Sequence, residues 1–451
     1  MSHKQIMGHT IQIEAEKHPI SVSAVKAGRP NGELWAAAHK FTAWLDRHGY
    51  ASFDPYDIWG TRYGRLARRL YYQKHPAGVI LTAPVLLMEI LCPSLRGLFV
   101  KKDRYPTADA QLALAFLNLH EASQNPRRTN GDRAFHAPLA PAAGPWLAKA
   151  KSLADDLLKQ SVPGYRGYCW GYPFHWQNVR FLMPKCTPHI AATPYCYEAF
   201  TRLFDLTGEK RYAEVARSIV AFVSENLHDT PTGRDAAASS YTPFDEGQVV
   251  NASAYRAFVL FDAARRFQNE AIQAQAWKNL RFILQNQRAD GSWLYAIDNS
   301  AEGFIDHFHT CFVLKNLHKL NRHLQSPEVR RAVERGYAWY RRALFDEQDN
   351  PKTYAVAPRL ETVRLEMYNV AEAITLGALL KDDTPEAFVL AHRLATRLVR
   401  CYQLRAGHWV TRVYVGGIRH TVPFLRWPQS QLFLALSNLL LATNTDKPTD
   451  N

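Results

Sequence analysis

Several common signatures are missing from this chain of 451 residues. Its six cysteines, Cys92, Cys169, Cys186, Cys196, Cys311 and Cys401, form no CxxC pair. That excludes a disulfide framework and favours reduced thiols. No GxGxxG or GxxxxGK[ST] run occurs, so nothing marks a nucleotide site. No GxSxG elbow occurs either, which removes the usual serine nucleophile. The first 19 residues carry no apolar signal core. The most apolar run, 79–100, is broken by Pro84, Glu89, Pro93 and Arg96, and is expected to form buried helices rather than a transmembrane segment. A cytoplasmic protein is expected, with a peripheral place at the inner membrane as the alternative. Acids are scarce: 55 Lys and Arg against 41 Asp and Glu leave a net charge of +14. The basic residues are scattered, and no nucleic-acid motif accompanies them, so the expected partner is an acidic oligo- or polysaccharide.

What is present is helical. Apolar residues make up 47% of the chain, ample for a core. Residues 1–30 lack periodicity and read as a flexible arm, and 446–451 as a disordered tail. Between them, 31–445 read as one domain with 51–106 as a helical elaboration. Helix spacing appears at 33–48 and then recurs in pairs. The polar residues His189, Asn251, His309, Asn369 and Gln429 each open a helix, at intervals of 62, 58, 60 and 60. A period near 60 with two helices per unit marks an array of helical hairpins. The first helices cover 107–121, 188–205, 249–267, 306–322, 366–380 and 426–442. Their partners cover 144–160, 210–227, 270–287, 327–344 and 384–403, and 33–48 supplies the sixth. The first helices begin with small residues, suited to a crowded inner ring, and the second are amphipathic, suited to an outer layer. The expected fold is therefore an all-α (α/α)6 toroid, with short extended stretches at one mouth.

In such a ring the starts of the inner helices converge. They bring the candidate catalytic residues Asp306, His309, Asp245, Tyr241, Tyr295 and Glu366. Around them stand candidate substrate contacts: Asp57, Trp170, His175, Trp176, Gln177, Arg180, His189, Asn251, Trp293, Tyr368 and Arg426. Flat aromatic faces stack on sugar rings, and carboxylates and amides bond hydroxyls. Hydrolysis of a glycosidic bond would need two carboxyl groups, about 5–5.5 Å apart for retention or 6.5–9.5 Å for inversion. Asp306 paired with Asp245, Glu366 or Asp57 fits that need. Elimination or C5-epimerisation of a uronate would instead use Tyr241, Tyr295 or His309 as base or acid. Arg180 or Arg426 would then hold the substrate carboxylate. Each residue also has a structural use: Asp306 and Glu366 as caps, Asp245 in a turn, the tryptophans as wall. His307 points away from His309 and reads as structural. Neither Asp306-His307-His309-Cys311 nor Cys186-His189-Cys196 has zinc spacing, so no metal and no cofactor are expected. The DD pairs, Asp155-Asp156 and Asp382-Asp383, fall on outer elements and do not make a terpenoid-cyclase cluster.

Four stretches carry a resemblance: SFDPYDIWG (52–60), GYRGYCWGYPFHWQ (164–177), SYTPFDEGQVVNAS (240–253) and DGSWLYAIDNSAEGFIDHFHTCFVLKNL (290–317). Together they resemble a bacterial family of surface-polysaccharide gene clusters, of the six-hairpin glycosidase type. The resemblance spans roughly 50–320. It implies complex-carbohydrate processing, with polysaccharide-assembly machinery as a partner. The superfamily includes glycoside hydrolases, uronate lyases and epimerases. The family's acidic residue before WQ is His175 here, which argues against a carboxylate role at that position. A non-catalytic glycan-binding protein is the remaining alternative.

Overall fold

The computed structural model describes residues 30–124, 145–299, 302–358 and 361–444. The arm expected over 1–30 lies outside the described residues except for Pro30, which opens the first helix, and the tail expected over 446–451 lies outside them altogether. Fourteen α-helices stand among those described: α1 (Pro30–His48), α2 (Arg62–Tyr72), α3 (Pro76–Leu91), α4 (Pro106–Gln124), α5 (Trp146–Lys159), α6 (Thr193–Thr207), α7 (Lys210–Glu225), α8 (Val250–Phe267), α9 (Glu270–Gln285), α10 (His307–Leu324), α11 (Pro327–Ala343), α12 (Met367–Leu379), α13 (Pro385–Arg397) and α14 (Ser430–Asn444).

Six hairpins make a closed ring. Helices α4, α6, α8, α10, α12 and α14 each touch the next, and α14 touches α4. Outside them stand α5, α7, α9, α11, α13 and α1, the last packed on α13 and α14. The protein is an (α/α)6 toroid. Burial follows the layers. Every residue of α8 from Val250 to Ala264 is buried, and every residue of α12 from Met367 to Ala378. On α11 only Val329, Ala332, Val333, Gly336, Tyr337, Trp339 and Tyr340 are buried, largely a stripe at helical spacing. Small residues set the distances. A side chain on Gly377 would come within 2.3 Å of the Ala387 carbonyl, so α12 and α13 approach at that point only over glycine.

The two ends of the ring are built differently. At one end the inner helices turn at once into the outer ones. Gly208 (φ 69°), Gln268 (φ 53°) and Gln325 (φ 51°) close α6, α8 and α10 in the left-handed conformation. The next residue opens the partner helix: Asn269 caps α9 and Ser326 caps α11. At the other end the chain returns through long segments that hold small antiparallel sheets. These contain β1 (Trp176–Gln177), β2 (Leu182–Met183), β3 (Asp229–Pro231), β4 (Ala237–Ser239), β5 (Ile305–Asp306), β6 (Tyr354–Val356), β7 (Val363–Glu366), β8 (Arg412–Tyr414) and β9 (Arg419–His420). Segment 52–103 enters at this end as well: Phe53 pairs with Phe424, and Ser52 with Asp103. Helices α2 and α3 pack on each other there.

Two inner helices start later than their periodicity predicts. The helix expected from 188 begins at Thr193, with Pro194 in its first turn. Residues 188–192 are diverted because His189 N–H donates to the Trp170 carbonyl (3.1 Å) and Ile190 N–H to Tyr241 (2.9 Å). The helix expected from 426 becomes regular only at Ser430. Trp427 is extended (φ −149°, ψ 93°), and Pro428 has no N–H to give.

Candidate active site

One backbone pattern assembles the site. An N–H at or just before the start of an inner helix donates to a carbonyl of the next hairpin's return segment. The pairs are Ile190 to Tyr241 (2.9 Å), Val250 to Tyr295 (3.0 Å), His307 to Thr353 (3.0 Å) and Met367 to Thr411 (3.3 Å). Each return segment is thereby pinned across its neighbour's helix start, and its aromatic side chains are brought to the axis. The result is a cavity of about 570 Å³ lined by ten tyrosines, among them Tyr56, Tyr172, Tyr195, Tyr241, Tyr255, Tyr295 and Tyr368.

At its wall Asp306 caps α10. One carboxylate oxygen accepts the His309 N–H (2.9 Å), and the other meets His309 Nδ1 at 2.7 Å. Asp306 is 2% exposed. Its opening role and its partnership with His309 are therefore the same geometry. In the neutral tautomer whose Nδ1–H donates to the carboxylate, Nε2 is the nitrogen with a lone pair. The ring lies on the cavity wall beside Tyr295, with centroids 4.5 Å apart. Across the cavity Tyr368 stacks on Trp427 at 3.8 Å and 9°. Arg426 grips Asp54 with two bonds of 2.6 and 2.7 Å and lies over Tyr172 at 4.6 Å. Burial opposes the Arg426 charge, but Asp54 together with Tyr172 and Tyr56 outweighs it, and the guanidinium pKa is raised. Burial raises the pKa of Tyr241, Tyr255, Tyr295 and Tyr368, so these phenols remain proton donors. Asn251 leaves its buried Oδ1 unpartnered at the same wall. On the rim, Arg68 lies over Tyr56 at 5.3 Å and Trp59 at 5.2 Å, with a buried Nη1 that has no partner.

Of the residues singled out in the sequence, the cavity brings together Asp306, His309, Tyr241, Tyr295, Trp176, Asn251, Tyr368 and Arg426. The others lie off its wall. Asp245 is consumed by its own turn, accepting from Tyr241 N, Thr242 N, Thr242 Oγ1 and Gly247 N at 2.6–3.1 Å. Glu366 pairs with Arg412 at 3.0 Å, and burial raises its pKa. Asp57 pairs with buried Arg96 and accepts from Asp54 N at 2.8 Å; burial pushes it up to about 6. None of these three carboxylates faces Asp306 across the cavity as a second acid.

Trp170 and Trp293 are buried structural rings, donating to the Leu157 and Ile283 carbonyls at 2.8 and 2.9 Å. His175 accepts from Lys185 N (3.2 Å), and Gln177 donates to the Asn178 carbonyl (3.0 Å). Arg180 is spent on Asp298 (2.6 and 2.8 Å) and Glu302 (2.5 Å), beside a recess of about 60 Å³. His189 is wholly buried between Tyr172 and Tyr241; burial, then Arg426, pushes its pKa down to about 3. His307 turns outward and meets Tyr340 Oη at 2.7 Å. No group of three or more His, Cys, Asp or Glu positioned for a metal exists among the described residues.

Sequence reasoning missed several wall residues. Glu302 is the second carboxylate on the cavity besides Asp306. Tyr195 projects inward from the first turn of α6, and Tyr255 and Phe312 from the second turn of α8 and α10. Tyr56 comes from the SFDPYDIWG stretch and stacks on Trp176 at 5.4 Å.

No protein-family model and no curated protein matches the chain. Solved structures do. A D-mannose isomerase superposes with a TM-score of 0.55 at 12% identity, over 90% of this chain and 97% of that one. The cellobiose 2-epimerase of Bacillus thermoamylovorans gives 0.55 at 11%, over 75% and 88%. An inactive variant of a Salegentibacter α-1,6-mannanase, with two adjacent aspartates replaced and mannotetrose bound, gives 0.53 at 13%, over 76% and 90%. At such identities the likeness is one of fold.

Proposed function

We propose that this toroid is a carbohydrate-active enzyme that moves a proton at a carbon beside a sugar carbonyl, as in isomerisation or epimerisation. The observation that carries this is the His309–Asp306 pair: an imidazole fixed at Nδ1 by a 2.7 Å carboxylate contact, with its ring on the wall of an aromatic cavity. Nε2 takes the proton from carbon, and the electron pair moves onto the carbonyl oxygen, where a tyrosine phenol donates to it. For isomerisation the same nitrogen, now protonated, delivers the proton to the former carbonyl carbon, while the hydroxyl on the first carbon gives its proton to the phenolate left by the tyrosine; for epimerisation a second phenol of the wall protonates the first carbon from the opposite face. Asp306 stabilises the imidazolium formed in between. The stacked Tyr368 and Trp427 offer a flat face to the sugar. The unpartnered Arg68 Nη1 favours a substrate bearing an anionic group, such as a uronate.

Hydrolysis, the first expectation from the sequence, has less support. Glu302 and Asp306 are the carboxylates on the wall, and each is already held, by Arg180 and by His309. The mannanase structure points to two adjacent aspartates, whereas Asp155-Asp156 lies on outer helix α5 and Asp382-Asp383 at the far mouth.

The test is incubation with neutral and uronate-containing saccharides in deuterated water. Deuterium entering the carbon next to the carbonyl, and lost in His309→Gln, is the expected result. New reducing ends without exchange would establish hydrolysis, and a new unsaturated-uronate absorbance would establish elimination.

A further inference from the structure

Helix α3 is built inside out. Its buried positions are Gly78, Thr82, Val85 and Glu89. Its exposed positions include Val79, Ile80, Leu86, Leu87 and Leu91, with Ile80 at 71% exposure. The apolar face continues into Leu95, Leu98 and Phe99, and onto α2 through Tyr63 and Leu66. Ten of the eighteen exposed large apolar side chains among the described residues fall within 63–99. Elsewhere such residues are scattered, as on most proteins. A concentrated patch marks a surface that something covers.

Charge identifies what covers it. Residues 61–102 carry Arg62, Arg65, Arg68, Arg69, Lys74, Arg96, Lys101 and Lys102 against Glu89 alone, so 8 − 1 = +7 of the chain's +14. Glu89 is buried against Arg96, which leaves the exposed surface of this segment without a carboxylate. Aliphatic side chains ringed by Arg and Lys match an anionic bilayer, with hydrocarbon below and phosphates beside it. A second copy of the chain is disfavoured, since it would set +7 against +7. With 16 residues, α3 is about 24 Å long, short of the roughly 30 Å of a bilayer core. It is sized to lie along the interface.

We infer that the α2–α3 hairpin and the turn after it dock the protein on anionic membrane lipid, with Ile80, Leu87, Leu91, Leu98 and Phe99 entering the headgroup layer. Arg68, Tyr71, Tyr72, Pro76 and Val79 belong both to this hairpin and to the cavity rim. Docking therefore turns the cavity mouth toward the lipid surface. The inference goes beyond the sugar chemistry and stands without it, because lipid binding requires no turnover.

The experiment is co-sedimentation of the full chain with vesicles of phosphatidylglycerol and phosphatidylethanolamine, and separately of phosphatidylcholine. Each basic side chain near an anionic surface is worth about fivefold in partitioning, and each buried methylene about fourfold. Binding to the anionic vesicles should exceed that to phosphatidylcholine at least tenfold, and should weaken with salt. Ile80→Glu/Leu87→Glu and Arg62→Glu/Arg69→Glu/Lys101→Glu should each cut it about tenfold or more. These side chains are exposed, so thermal unfolding should not change. Equal pelleting with and without lipid overturns the inference, as does undiminished binding by both variants. Self-association or capture of an acidic protein, abolished by the same variants with no vesicle binding, overturns it in favour of a protein partner.

Discussion

The hollow of this ring opens at two mouths, and the larger one is the less promising. The far mouth, where the tight turns lie, encloses about 1120 Å³, against about 570 Å³ at the mouth of the return segments. Six Lys or Arg and six Asp or Glu line the far cavity, so its charges cancel. Seven of them are paired with one another: Arg202 with Glu121 (2.8 Å), Lys319 with Glu198 (2.6 Å), Arg266 with Asp205 (2.8 Å) and Asp262 (2.6 Å). The near cavity has two carboxylates, a fixed histidine and ten tyrosines. Groups already satisfied by one another have little left for a ligand, whereas buried Oδ1 of Asn251 and Nη1 of Arg68 at the near cavity have no hydrogen-bond partner among the described residues. Volume alone would choose the wrong end. Tyr195 lines both cavities, and the Lys315–Glu372 pair (2.5 Å) is buried just beneath it.

Substitutions at the two ends would sharpen this contrast. His309→Gln should lower turnover by about 10²–10⁴-fold with the fold intact, the usual worth of a positioned acid–base group. Arg322→Ala at the far mouth should change turnover less than about twofold, as for an unremarkable surface site. Steady-state kinetics on both variants checks the pair.

Stability gives the next largest contrast. Lys315→Met leaves the Glu372 carboxylate buried without its cation and should cost about 3–5 kcal/mol. Lys319→Ala breaks a half-exposed pair and should cost no more than about 1 kcal/mol. Denaturant unfolding measures both.

Acid should act most strongly through the most deeply buried histidines, which lie at the near mouth and in the core. His189, His307 and His420 are held neutral, each at about 3 against an ordinary 6.5, chiefly by burial. The unfolded chain therefore binds these protons first, and stability falls as pH drops from 6.5 toward 3. Each histidine should contribute about 2 kcal/mol of loss near pH 5. Unfolding curves across that range should show the fall, and His307→Phe should flatten part of it.

The smallest effect separates two aspartates. Asp245→Asn loosens a turn and should cost about 1 kcal/mol with turnover little changed. Asp306→Asn should cost turnover far more than stability, because it releases the His309 tautomer.

The ring was legible because its signal is long. The polar starts at His189, Asn251, His309, Asn369 and Gln429 recur near every sixty residues, and outer helices such as α11 carry a clear apolar stripe. The site was legible only in part, for the same reason inverted. Inner helices such as α8 and α12 are buried all round, so no stripe says which face meets the hollow. Tyr195, Tyr255 and Phe312 went unseen on that account. Asp245 had a readable warning, Gly two positions later in a Thr-Pro-Phe-Asp-Glu-Gly turn. The run at 79–100 was expected to be buried, because its apolarity says nothing about which side the fold leaves bare.

The most direct measurement is a crystal structure with a bound saccharide. A sugar ring should lie against Tyr368 and Trp427, with a carbon beside its carbonyl within reach of His309 Nε2. A saccharide seated instead at the far mouth, among Lys319, Arg322 and Asp383, would contradict it.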